Sequence, residues 1–251
     1  MGRLEELLQS LKDKEIKSVV DSDSPIPPGL KEWLEQKIMY GHYPLLTPPK
    51  SLILYNVKGR DKHSENEVKL LQEYCEGVLG SAQVVKNFTW IDMEQKIKEA
   101  QRGTLSCLFV AVMAHGGRGR LADKNGDPIN INDITKLMCA SNVRGVPKVL
   151  LIQACQTDPL TSTTTEMERL EDIRLCYEDL SIIVSTLSGK KSKRNSFIPL
   201  LSKELSEAPI DDDINRVFTR ANDRLEHDHG YRAMHLHSFK KLLHFAGYYR
   251  P

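Results

Sequence analysis

The sequence predicts an α/β fold with a mostly parallel sheet, and two observations predict it. Residues 149–152 are an uninterrupted apolar run and residues 105–113 a second, largely apolar one, both without the in-out alternation of a half-exposed strand, as expected of buried strands. Between them lie segments with apolar residues at helical spacing, and strand-helix alternation of this kind implies parallel crossovers.

Taken in order, residues 1–48 stand apart. Leu4, Leu7, Leu8 and Leu11 form one apolar stripe and Leu30, Trp33, Leu34 and Ile38 another, separated by the turn-rich DSDSPIPPG at 21–29. Either stripe suits docking on the main domain or on a partner, and the segment is expected to be a leader. From residue 49 the pattern is regular. The strand at 51–57 is followed by a helix opened by a capping box, Ser64-Glu65-Asn66-Glu67, with Val68, Leu71, Cys75 and Val78 on one face. A strand at 83–88, a helix at 90–100, the strand at 105–113, a Gly-rich loop and a helix at 133–140 come next. The strand ending in Cys155 follows, and then 156–178, a Thr/Ser-rich and charged stretch without periodicity that reads as an exposed loop. A strand at 180–187, helices at 197–205 and 214–225, and a terminal strand at 235–245 complete the chain. The division expected is 1–48, 49–155, 156–178 and 179–251.

Composition narrows the function classes. With 35 basic and 34 acidic residues, net charge +1, the chain carries no electrostatic footprint for nucleic acid or an anionic membrane. No apolar run approaches the roughly 20 residues of a membrane helix. Five cysteines at irregular spacing, without a Cys-x-x-Cys clip, fit neither a disulfide framework nor a zinc site, and point to a reducing, cytoplasmic setting. His235 and His237 sit at i and i+2 without an acidic or cysteine partner, so joining them with His115 makes no convincing metal site. No cofactor is expected.

The chemistry concentrates at two strand ends. The run PKVLLIQACQTD at 147–158 delivers Cys155 to the carboxyl edge of a sheet, and the run ending at Met113 delivers His115 and Gly116 to the same edge. Ligands of open α/β sheets bind there. An imidazole beside a thiol can hold it as the thiolate, the attacking species, and Gly116 and Gly117 let backbone approach a substrate carbonyl, so that a glycine amide and the Cys155 amide can hold an oxyanion.

Ala-His-Gly closing one strand and Gln-Ala-Cys-Gln closing another 40 residues later resemble the catalytic domain of the caspase family over about residues 48–249. The resemblance implies a three-layer sandwich: a mostly parallel six-stranded sheet with an antiparallel edge strand and helices on both faces. It implies Cys155 as nucleophile, His115 as general base and then acid, Gly116 in the oxyanion hole, and cleavage of protein substrates after aspartate in apoptosis or related signalling. Arg60 and Arg194 stand where the family places two substrate-binding arginines. Two guanidinium forks on one carboxylate would give bidentate recognition, with Gln153 and Asn195 lining the pocket.

Two departures accompany the matches. Thr157 replaces the glycine usual two residues after the cysteine, and Lys190, Lys191 and Lys193 replace aromatic residues ahead of the Arg-Asn pair. They define an alternative, a catalytically weak homologue that binds and regulates an active caspase. Cleavage of a precursor is expected within 156–178, with Asp172 as first candidate and Asp179 behind it. A homodimer, or a heterodimer with another caspase, is the expected assembly, the terminal strand pairing across a two-fold axis.

Overall fold

The structure, a computed structural model, describes residues 33, 40–56, 62–117, 119–154, 177–185, 196–209 and 212–245, with the backbone alone at 62–64. Its elements are β1 (Lys50–Tyr55), α1 (Lys62–Tyr74) running into a π-helical turn (Cys75–Leu79), β2 (Gln83–Lys86), α2 (Trp90–Ala100), β3 (Leu108–Met113), β4 (Gly116–Gly117), β5 (Arg120–Ala122), β6 (Pro128–Asn130), α3 (Ile131–Met138), β7 (Lys148–Gln153), β8 (Leu180–Val184), α4 (Phe197–Glu207), α5 (Ile214–His229) and β9 (Met234–His237). Six strands form one sheet in the order β2-β1-β3-β7-β8-β9. All neighbours are parallel except β8 and β9, so the sheet carries the expected antiparallel edge.

The strands are uniformly apolar because both faces are covered. Ile53, Phe109, Ala111, Val149, Leu151 and Ile183 face a core closed by Val68 and Leu71 of α1, Ile198 and Leu201 of α4, and Val217, Phe218 and Ala221 of α5. The alternate residues Leu52, Leu54, Val110, Val112, Leu150, Ile152 and Ile182 face Met93 and Ile97 of α2 and Ile134 and Met138 of α3. Each strand therefore contributes to two cores at period two, and the molecule has three layers.

Helix starts follow from local chemistry. The Thr89 hydroxyl accepts from the Asp92 amide while the Asp92 carboxylate accepts from the Thr89 amide, a reciprocal box that sets the start of α2. Asn130 caps α3 through the Asn132 amide and so starts that helix two residues before the expected 133. Asp213 does the same for α5 through Asn215, and its other carboxylate oxygen accepts from the Leu243 amide.

Three expectations are corrected. Helix α1 begins at Lys62, so Ser64 lies within its first turn and is not its cap. The Gly-rich loop after His115 folds into a small antiparallel sheet, β4-β5-β6, whose strands of two or three residues are too short to leave a period in the sequence. The terminal strand ends at His237. Ser238 turns the chain, its hydroxyl accepting from the Leu180 amide and donating to the Tyr177 carbonyl. Leu243 and Phe245 are buried because the Leu243 carbonyl and amide dock on the start of α5 and Phe245 meets Phe109 edge-on, not because a ladder continues.

Packing begins ahead of the boundary expected at residue 48. Tyr43 and Leu45 lie in the core. The Tyr43 amide donates to the Leu242 carbonyl, the Leu242 amide to the Gly41 carbonyl, and His42 stacks on His244 at 4.4 Å between ring centroids. The Tyr43 hydroxyl donates to the buried carboxylate of Asp179, tying both ends of the domain to the start of β8. Burial first, and the hydrogen bond to Asp179 second, raise the Tyr43 phenol pKa well above its usual range, so it remains a donor.

On β9, His235 is largely buried, with Nε2 3.0 Å from Ser181 Oγ and its ring edge-on to Phe218 of α5. Desolvation first, and the neighbouring His237 second, push its pKa down to about 4. The folded protein thus holds His235 neutral where the unfolded chain, at about 6.5, takes a proton. Stability on this account is full above pH 6.5, falls as pH drops from 6.5 to 4, and levels off below, a loss on the order of 3 kcal/mol. Urea denaturation of wild type and His235→Gln across this window should show the slope shrinking in the variant; an unchanged slope would place the sensitivity elsewhere.

Candidate active site

Strands β3 and β7 are adjacent and parallel, with Met113 opposite Gln153 as their last pair. One further hydrogen bond, from the Ala114 amide to the Gln153 carbonyl at 3.3 Å, carries the pairing past the strand ends. His115 follows Ala114, and Cys155 is two residues beyond Gln153 in the chain. The register thus brings the backbones that lead to the imidazole and the thiol side by side at the carboxyl edge. Ala114 and Ala154 are fully buried, which anchors the two strand ends, while His115 is exposed.

The hairpin after His115 fixes its backbone. The His115 carbonyl accepts from the Ala122 amide at 2.8 Å, Gly116 pairs with Leu121, and Gly117 with Arg120. Gly119 turns the hairpin at φ +80°, a left-handed conformation that costs glycine little. Asn56, at the end of β1, bolts the hairpin to the main sheet: its side-chain amide donates to the Ala122 carbonyl at 3.1 Å, and its backbone amide to the Met113 carbonyl. Sequence reasoning missed Asn56. A buried polar residue closing an otherwise apolar strand is the signal that marks it.

Gln153 is buried beneath the edge at 3% exposure, and Gly116 is partly exposed on β4. Cys155, Arg60, Arg194, Asn195 and Asp172 lie outside the described residues, as do Thr157, Lys190, Lys191 and Lys193. The strand ends that precede Arg60 and Arg194 show where those segments leave the sheet. Asn56 is four residues ahead of Arg60. Ser185, whose amide donates to the Ile152 carbonyl and whose hydroxyl reaches toward the Ala154 carbonyl at 3.5 Å, is nine residues ahead of Arg194. Both departures are from the carboxyl edge that carries His115. Asp179 is 7% exposed, at φ +58°, with its carboxylate held by Tyr43.

The described thiols, Cys75, Cys107 and Cys139, are poor nucleophiles. Burial pushes Cys75 up to about 12 and Cys139 up to about 11, and raises the fully buried Cys107 further still. No three metal-ligating side chains come together among the described residues: His115 stands at the β3 end, whereas His235 and His237 lie on β9 beyond β8. No helix among the described residues is long and apolar enough to cross a membrane.

Comparison with known proteins agrees with this architecture. A family model described as a caspase domain matches residues 51–244. Caspase-1 of Spodoptera frugiperda is 31% identical over 139 residues, 50% of this chain and 46% of that protein. Human caspase-14 is 27% identical over 121 residues, 43% of this chain and 50% of that protein. The matched stretches thus span about half the length of these curated relatives. The crystal structure of caspase-1 from Spodoptera frugiperda superposes with a TM-score of 0.68 at 20% identity, covering 84% of this chain and 95% of that one. The two share one fold, and the domain match over 51–244 shows that this chain belongs to the caspase family.

Proposed function

We propose that the protein is a cysteine endopeptidase that cleaves protein substrates after aspartate. The observation that carries this reading is the β3–β7 register, Met113 opposite Gln153 and both strands two residues short of His115 and Cys155. In the proposed reaction the Cys155 thiolate attacks the carbonyl carbon, forming a C–S bond while the oxygen takes negative charge. The Gly116 and Cys155 amides stabilise that oxyanion. Protonated His115 then gives its proton to the leaving amine as the C–N bond breaks. A water, deprotonated by His115, hydrolyses the thioester and regenerates the thiolate. The hairpin supports this role by tethering the His115 carbonyl to Ala122, which leaves the exposed imidazole to act.

Aspartate specificity is proposed through Arg60 and Arg194, with Gln153 and Asn195 completing the pocket. The departure of both arginine-bearing segments from the His115 edge supports it, and Gln153, the last residue of β7, is buried at that edge. A reducing cytoplasm is part of the same proposal, resting on five cysteines at irregular spacing without a Cys-x-x-Cys clip. A role in apoptosis or related signalling, and dimerisation through the open β9 edge, extend the same proposal. The lysines at 190, 191 and 193 and Thr157 favour the second reading, a homologue that regulates an active caspase by binding it.

Turnover of peptides bearing aspartate before the scissile bond separates the two. Wild type should cleave them and spare asparagine counterparts. Cys155→Ala and His115→Ala should each lower kcat/KM at least about 10³-fold, and Arg60→Leu or Arg194→Leu about 10²-fold. Activity surviving Cys155→Ala, or none in a verified dimer, rejects the peptidase. Inhibition or activation of a second caspase by that inactive dimer would then establish the regulatory reading.

Precursor cleavage is proposed after Asp172. Asp179 is buried and tied to Tyr43, so cutting there requires the entry to β8 to open first. Intact-mass analysis should show Asp172→Ala remaining a single chain where wild type yields two, and Asp179→Ala still cut; the reverse pattern would assign the site to Asp179.

A further inference from the structure

Helix α1 and its π-helical extension pack against α4 and leave a groove between them, a cavity of about 470 Å³ on the face opposite α2 and α3. Its walls are two helical rows. Leu70, Glu73, Tyr74, Gly77 and Val78 line one side and Pro199, Ser202, Lys203 and Ser206 the other, each at the i, i+3, i+4, i+7 spacing of a single helix face. The floor is apolar and the rim is charged, with Glu73 paired to Lys69 and Lys203 to Glu207 out in solvent.

Two features mark this groove as incomplete. Leu70 is 40% exposed, among the few large apolar side chains left open among the described residues. Above Gly77, a side chain would meet nothing within 4 Å, so there is open space where the wall is thinnest. Gly77 also lies in the π-turn, a local geometry often kept at functional sites.

We propose that this groove is the docking site of an amphipathic helix supplied by the chain's own leader, with Leu4, Leu7, Leu8 and Leu11 as its buried face. Those leucines repeat the spacing of both walls, the signature of a helix laid in an apolar groove. The leader also has the reach. Residues 12–39 separate Leu11 from Tyr40, a tether of up to about 90 Å when extended. Small residues at Gly77, Ser202 and Ser206 permit close approach. The charges that flank the stripe, Arg3, Glu5, Glu6 and Lys12, are of both signs and match the mixed Glu73 and Lys203 rim.

Hydrogen exchange on the full chain tests this. In wild type, residues 4–11 should exchange at least about tenfold more slowly than in Leu7→Asp/Leu8→Asp, and the same variant should speed exchange at 70–79 and 199–206. Gly77→Phe fills the groove without a backbone clash and should release 4–11 while leaving β3 and β7 protected. Exchange of 4–11 at the rate of an unstructured chain in wild type overturns the proposal. So does protection of 4–11 that persists in Gly77→Phe, which places the leader elsewhere, and protection that grows with protein concentration, which assigns the helix to a second copy.

Discussion

The parallel pairing of β3 with β7 is the constraint on which the remaining structure depends. Its register determines which residues emerge together at the carboxyl edge, and a shift of one position would exchange the two cores, because alternate residues of each strand serve opposite faces. Burial on both sides makes such a slip prohibitive. Val110, Val112, Leu150 and Ile152 fit among the side chains of α2 and α3, and Phe109, Ala111, Val149 and Leu151 among those of α1, α4 and α5. The geometry of the candidate site is therefore a product of core packing.

The edge is then elaborated by polar contacts. Asn56 bridges β1 to the β4-β5-β6 hairpin, Ser185 approaches the Ala154 carbonyl from β8, and the His115 carbonyl closes the hairpin onto Ala122. The dry sheet beneath lets these few hydrogen bonds orient backbone without competition from water. At the far end, Tyr43, Asp179 and residues 239–243 form a second polar knot, which joins residues 41–43 to 239–243 and makes residues 42–48 part of the domain.

What was legible in the sequence followed from strong periodicity. Apolar runs announced β3 and β7, and the strand-end placement of His115 was visible because a run of buried residues must stop where solvent begins. The hairpin was illegible because its strands hold two or three residues and Gly116-Gly117 looks like loop. The terminal segment misled for a different reason: Leu243 and Phe245 alternate with polar residues, but tertiary docking on α5 and Phe109 produces that alternation. Ser64-Glu65-Asn66-Glu67 looked like a cap, whereas the box that forms is Thr89 with Asp92, a pair of the same design placed where a strand exit meets a helix. Asn56 escaped notice because its value lies in a partner 66 residues away.

Of the five thiols in the chain, Cys155 is the one proposed as the nucleophile of an aspartate-directed site. Peptide mapping after reaction with a short peptidyl-aspartyl electrophile addresses it directly, since burial keeps Cys75, Cys107 and Cys139 in the unreactive thiol form. The account predicts a single adduct, on Cys155, lost when asparagine replaces aspartate in the reagent. An adduct on another cysteine, or labelling indifferent to the aspartate, would contradict it.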